Sequence, residues 1–112
     1  MSAAGDDGLR IVDEPDRQRY EARIGADLVG FVEYRPVRGR RILFHTEVDQ
    51  SVEGRGIGSR LVTGVLDDIR AHGFRITVKC PFVAAFLERH PDYLDLLVGP
   101  PVTASPERTA EV

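Results

Sequence analysis

At 112 residues, 42% hydrophobic and 29% charged, the chain has the size and balance of one small folded domain, and a second domain is excluded. A domain this short folds with a modest margin, so any large cavity has to be shared with a ligand or a partner chain. A net charge of −3 with dispersed basic residues gives no footprint for nucleic acid, and without a run of about eighteen apolar residues no segment spans a membrane.

Residues 1–8 are small and acidic, with neither the basic nor the apolar stretch of a secretory signal, which predicts a flexible tail and a cytoplasmic protein. Residues 9–13 alternate apolar and polar, residues 17–24 set Tyr20, Ala22 and Ile24 against charges, and residues 28–34 are β-branched and aromatic. These predict three strands of an antiparallel meander, joined by turns at residues 25–27 and 35–40. The second turn carries Arg35, Arg38, Arg40 and Arg41; with nothing aromatic interleaved it reads as a solvated hairpin loop rather than a phosphate-binding patch. Residues 41–48 predict a fourth strand, and its apolar residues on both faces predict a sheet covered on both sides.

The period then changes. Ile57, Leu61, Val62, Val65, Leu66 and Ile69 recur at helical spacing, and Gly73 stands where a helix stops. Residues 74–78 predict a fifth strand, parallel to the fourth because a helix crosses between them. Pro81 opens a second helix with Phe82, Val83, Phe86 and Leu87 as its apolar stripe, Pro91 ends it, and residues 92–98 add one more turn. Residues 99–112, with three prolines, read as a second tail, leaving a working domain over residues 9–98. The fold class predicted is α+β: an antiparallel sheet with one β-α-β crossover.

The single cysteine, Cys80, has no disulfide partner within the chain, and no Cys/His group has zinc spacing, so no metal is expected. Between the fourth strand and the main helix stands Glu53-Gly54-Arg55-Gly56-Ile57-Gly58. Glycines here let backbone N–H groups converge, and the helix adds the positive end of its dipole, which suits a phosphate or pyrophosphate; a tight strand-to-helix turn would use the same glycines. A P-loop is excluded because no Gly-Lys-Ser/Thr follows. A dinucleotide fold is excluded because antiparallel hairpins precede the loop.

This stretch resembles the signature of the GNAT superfamily of N-acetyltransferases, with Glu53 standing where that signature usually has Arg or Gln and with Arg55 and Arg60 close by. Phe44-His45-Thr46-Glu47-Val48, Cys80-Pro81-Phe82-Val83 and Arg89-His90-Pro91-Asp92-Tyr93 extend the likeness over most of residues 9–98, toward a short, single-domain GNAT-like branch. The resemblance implies a GNAT-like fold whose central strands splay apart. It further implies that acetyl-CoA is bound through Val48, Gly54, Arg55, Gly56, Ile57, Gly58 and Ser59, and that the acceptor-binding elements are reduced, since no helical segment separates the first two strands.

Acetyl transfer to an amine needs a base to take the ammonium proton. Glu47 and His45 share a strand face by period two and are candidates for base and relay; each also reads as an ordinary strand residue, a satisfied histidine and a solvated carboxylate. Cys80 lies where the resemblance puts the thioester, and the helix dipole beside Lys79 favours a thiolate there. It is read as nucleophile, as the acid that protonates the departing thiolate, or as an inert core cysteine. Phe82 and Phe86 read as core, and His72 and His90 as structural residues near helix C-termini.

Three functions stay open: an acetyl-CoA-dependent N-acetyltransferase acting on a primary amine, a CoA-binding module without turnover, and a dimerising scaffold whose glycine loop is only a turn. Expected partners are acetyl-CoA and an amine acceptor, without nucleic acid or membrane, for a monomer or weak homodimer.

Overall fold

Alternating side chains build five strands and one amphipathic stripe builds the main helix. The computed structural model describes residues 8–52 and 54–98; the tail expected over residues 1–8 apart from Gly8, the tail expected over residues 99–112, and Glu53 lie outside the described residues. In chain order the elements are β1 (Leu9–Glu14), β2 (Arg19–Ile24), β3 (Asp27–Val37), β4 (Arg40–Val48), α1 (Ile57–Ala71), β5 (Arg75–Val78) and α2 (Pro81–Arg89). The strands lie in sequence order in one sheet, β1 to β4 antiparallel and β5 parallel to β4. That is the α+β architecture expected, with its single β-α-β crossover.

Two boundaries differ from expectation. Pro15 opens a short 3₁₀ turn over Pro15–Arg17, closed by Gln18 in the left-handed region at φ 54°, so β2 begins only at Arg19. The β3–β4 turn shrinks to Arg38 and Gly39, with Gly39 at φ 73°, because Pro36 and Val37 stay in register with Arg41 and Arg40. Aromatic rings from neighbouring segments hold the basic residues of this hairpin: Arg35 lies 4.6 Å over Phe44, and Arg41 lies 4.0 Å over Phe74.

The sheet is covered on one face, not two. Helix α1 buries Ile57, Leu61, Val62, Val65, Leu66 and Ile69 against the face that carries Val32 and Leu43. Within β4 only Leu43 is fully buried, while His45 and Glu47 on the opposite face are exposed. Polar ties supplement the apolar contact: Tyr20 donates its hydroxyl to Asp68 on α1 and Tyr34 donates to Asp13 on β1, both at 2.7 Å. Burial and then these carboxylates push both phenols well above the ordinary tyrosine range.

Helix α1 stops where Gly73 predicts. With Gly73 at φ 77°, its N–H donates to the Arg70 carbonyl and the Phe74 N–H donates to the Ile69 carbonyl, the two bonds of a Schellman motif. His72 caps α1 and His90 caps α2, the latter stacked on Phe86 at 4.1 Å. A 3₁₀ stretch over Pro91–Leu96 then returns to α1, with the Tyr93 hydroxyl donating to Asp67 at 2.7 Å. Of the two phenylalanines expected in the core, Phe86 is fully buried and Phe82 is 43% exposed. Among the described residues no helix is long and apolar enough to cross a membrane.

Candidate active site

Strands β4 and β5 pair only from Arg40/Arg75 to Leu43/Val78, and the Lys79 N–H makes the last rung to the Leu43 carbonyl at 2.8 Å. Beyond that rung β4 stays paired with β3 as far as Val48, while the segment after β5 turns through Cys80 into α2. The splay expected between the central strands is therefore present, as a wedge that opens toward the N-terminal ends of both helices.

Gly54 and Gly56 adopt φ 86° and 72°, a left-handed backbone that side chains rarely take, and nothing stands within 4 Å of where their Cβ atoms would be. Gly56 caps α1 without any side-chain hydrogen bond, and the first bond inside the helix runs from the Arg60 N–H to the Gly56 carbonyl. Helix geometry thus leaves the amides of Ile57, Gly58 and Ser59 without carbonyl partners inside the helix, at its positive end. They edge a groove of about 300 Å³ lined by Val48, Val52, Gly54, Gly56, Ile57, Gly58, Ser59 and Phe82. The backbone and the open space fit an anionic ligand with an attached chain.

The groove gathers six of the seven residues expected to hold the cofactor. Arg55, flanked by the two left-handed glycines, lines instead a neighbouring cavity with Leu28, Asp49 and Ser51.

The candidate catalytic residues divide between the two faces of β4. Cys80, 2% exposed, lies on the helix side, where its Sγ is 3.2 Å from the Thr46 hydroxyl across the wedge. On the open face His45 Nε2 and Glu47 Oε2 are 2.8 Å apart, with both side chains about half exposed. The period-two pairing of His45 with Glu47 is thus present as expected, next to the Phe31 ring at 6.1 Å. Thr46, which the sequence does not single out, and Phe82, expected in the core, are the additions. The same alternation that pairs His45 with Glu47 points Thr46 the other way, and that signal was available.

An antiparallel meander, one parallel strand after a glycine-capped helix, and a wedge between the last two strands define a GNAT-like domain. A solution NMR structure of a GCN5-like protein from Staphylococcus aureus has the same fold: TM-score 0.63, 23% identity, 83% of this chain and 91% of that chain covered. Residues 19–96 match the family described as GCN5-related N-acetyl-transferase, and the chain belongs to that family. It is also 36% identical over 80 residues to a mycothiol acetyltransferase from Rhodococcus jostii, a match covering 65% of this chain and 24% of that protein's length. Membership makes it a protein of the N-acetyltransferase class.

Proposed function

We propose that this chain is an acetyl-CoA-dependent N-acetyltransferase that moves an acetyl group to a primary amine. One observation carries the reading: the β4–β5 wedge opens directly onto the groove at the N-terminus of α1, with Cys80 and Thr46 across it. The likeness to a mycothiol acetyltransferase supports an acetyl donor.

Acetyl-CoA supplies the acyl group as a thioester. The amides of Ile57, Gly58 and Ser59 would hold its pyrophosphate and the backbone at Val48 its pantetheine arm. An alkylammonium, with a pKa of about 10.4, has no free lone pair near neutrality, so its proton leaves before attack. The His45–Glu47 pair accepts it, directly or through water. As the new C–N bond forms the C–S bond breaks, and the departing thiolate takes a proton. Cys80 supplies that proton, or else first carries the acetyl group itself.

The second reading, a CoA-binding module without turnover, draws on the burial of the Cys80 side chain and on its separation from His45 and Glu47 by the strand between them. Thiol release measured with acetyl-CoA and a panel of amines decides. Release with at least one amine, reduced by more than about tenfold in Glu47→Gln, is the expected result. Binding of CoA without release from any amine would leave the module. No calorimetric heat with any CoA species would overturn both. An acetyl adduct on Cys80 by intact mass, absent in Cys80→Ala, separates the nucleophile from the acid.

A further inference from the structure

We infer that Phe82 selects the pantetheine arm of the acyl donor and that Gly58 keeps its ring in place; this rests on reading the groove as an acetyl-CoA site. On α2, Val83, Ala84, Phe86 and Leu87 are buried, whereas Phe82 leaves 43% of its surface exposed and lines the groove. Its ring reaches across to the first turn of α1. A Cβ on Gly58 would stand 2.6 Å from the Phe82 Cζ and 3.4 and 3.5 Å from its two Cε atoms.

Gly58 has no left-handed backbone to account for it, and glycine is a poor helix former. What its missing side chain provides is space for the ring. The groove therefore has two chemically different parts. One is the amide end at Ile57, Gly58 and Ser59; the other is an apolar wall of Val48, Val52 and Phe82, the last of these on the first turn of α2, which Cys80 caps.

A ligand whose phosphates meet the amides and whose sulfur reaches Cys80 must lay the chain between them against that wall. Phe82 is two residues beyond Cys80 and its ring lies over Gly58, so on this reading it borders the amide end from the α2 side and meets the arm where the arm leaves the pyrophosphate. An aromatic face there binds an uncharged chain by apolar contact.

Calorimetric titration of wild type, Phe82→Ala, Phe82→Tyr and Gly58→Ala tests this, each with CoA and with 3′-phospho-ADP, the nucleotide half that lacks the arm. Phe82→Ala is expected to weaken CoA about tenfold and to leave 3′-phospho-ADP within about twofold of wild type. Phe82→Tyr keeps the ring and stays within about threefold for CoA, while Gly58→Ala, which drives the ring off, weakens CoA in the same direction as Phe82→Ala. Thermal melts confirm that each variant is folded. Unchanged CoA affinity in Phe82→Ala overturns the inference, as does an equal loss for both ligands, which would mean that the ring only shapes the loop. Absence of CoA binding by wild type would overturn the reading of the groove, and this inference with it.

Discussion

Glu21 is the buried charged side chain among the described residues, and it lies on the sheet face that no helix covers. Its environment is made by its neighbours along β2: Arg19 and Arg23 each reach it at 2.7 Å, and Arg19 lies 4.6 Å over the Phe31 ring. Burial acts to raise the carboxyl, but the hydrogen bonds and charges of the two guanidinium groups outweigh it and hold Glu21 below the usual glutamate value of 4.5. Glu21→Gln keeps the volume and loses the charge, so a loss of about 1–3 kcal/mol in urea unfolding at pH 7 is expected. The depressed folded value fixes the sign of the pH dependence: the carboxylate stabilises above 4.5, and this is lost as pH falls through the lower, folded value. The gap between wild type and variant should therefore narrow in melts taken below pH 4.5, and a gap independent of pH would contradict the clamp.

Gly30 makes a second demand at this scale. A Cβ there would stand 2.9 Å from the Glu47 carbonyl oxygen and 3.4 Å from Leu61 Cδ2, and the carbonyl is backbone that cannot swing aside. Gly30→Ala is expected to cost about 1–3 kcal/mol and, by displacing β4 at Glu47, to lower the rate of thiol release more than it changes CoA affinity. Period two is enough to find His45 and Glu47, because alternation alone places them together. It does not reveal Glu21 as buried, since an alternating charge on an open sheet face looks solvated until the arginines on either side are seen to fold over it.

Among elements, α1 is the most legible. Its stripe has the helical period, and Gly73 ends it through local hydrogen bonds that depend on nothing distant. The start of β2 and the length of β3 are less so, because Gln18 in a left-handed conformation and the stacking of Arg35 on Phe44 are settled by contacts between segments. How closely α1 approaches β1 is likewise invisible in the sequence of either. A Cβ on Gly64 would stand 2.8 Å from Ile11 Cγ1 and 3.1 Å from its Cβ, so the glycine marks a close crossing of helix and strand. Two effects oppose each other in Gly64→Ala: a gain in helix propensity of about 1 kcal/mol and overpacking of about 1–3 kcal/mol. Overpacking wins while Ile11 is present, so the single variant is expected to be destabilised. In an Ile11→Ala background, where both Cγ atoms are gone, the same substitution should cost less than in wild type or turn stabilising, and a double-mutant cycle by thermal melting reads the coupling. Equal effects in both backgrounds would rule out the crossing as its cause.

At the scale of the whole molecule, covering one face of the sheet leaves the fold with an unfilled wedge. Strand β4 keeps its ladder to β3 from His45 to Val48 but has none to β5, so this stretch lacks the second set of rungs that an interior strand has. Resemblance implies the splay, but the residues of β4 alone point to a strand covered on both sides, because residues 41–48 carry apolar side chains on both faces. What the pattern lacks is any record of a third element ending early: β5 spans only Arg75–Val78 before the chain turns at Cys80 and Pro81. A ligand lying in the wedge would bind the folded state alone, since β4, α1 and α2 meet there only after folding. Linkage then gives a stabilisation of about 2.7 kcal/mol at a CoA concentration one hundred times its dissociation constant. For a domain of this size each kcal/mol moves the midpoint by roughly 4–8 °C, so CoA should raise the melting temperature by roughly 10–20 °C. On the proposed reading 3′-phospho-ADP would reach only the α1 end of the groove, so it should protect the backbone amides of that first turn from hydrogen exchange while leaving residues 45–48 unchanged, whereas CoA should slow exchange at both. A rise in melting temperature without added protection at residues 45–48 would place the ligand outside the wedge.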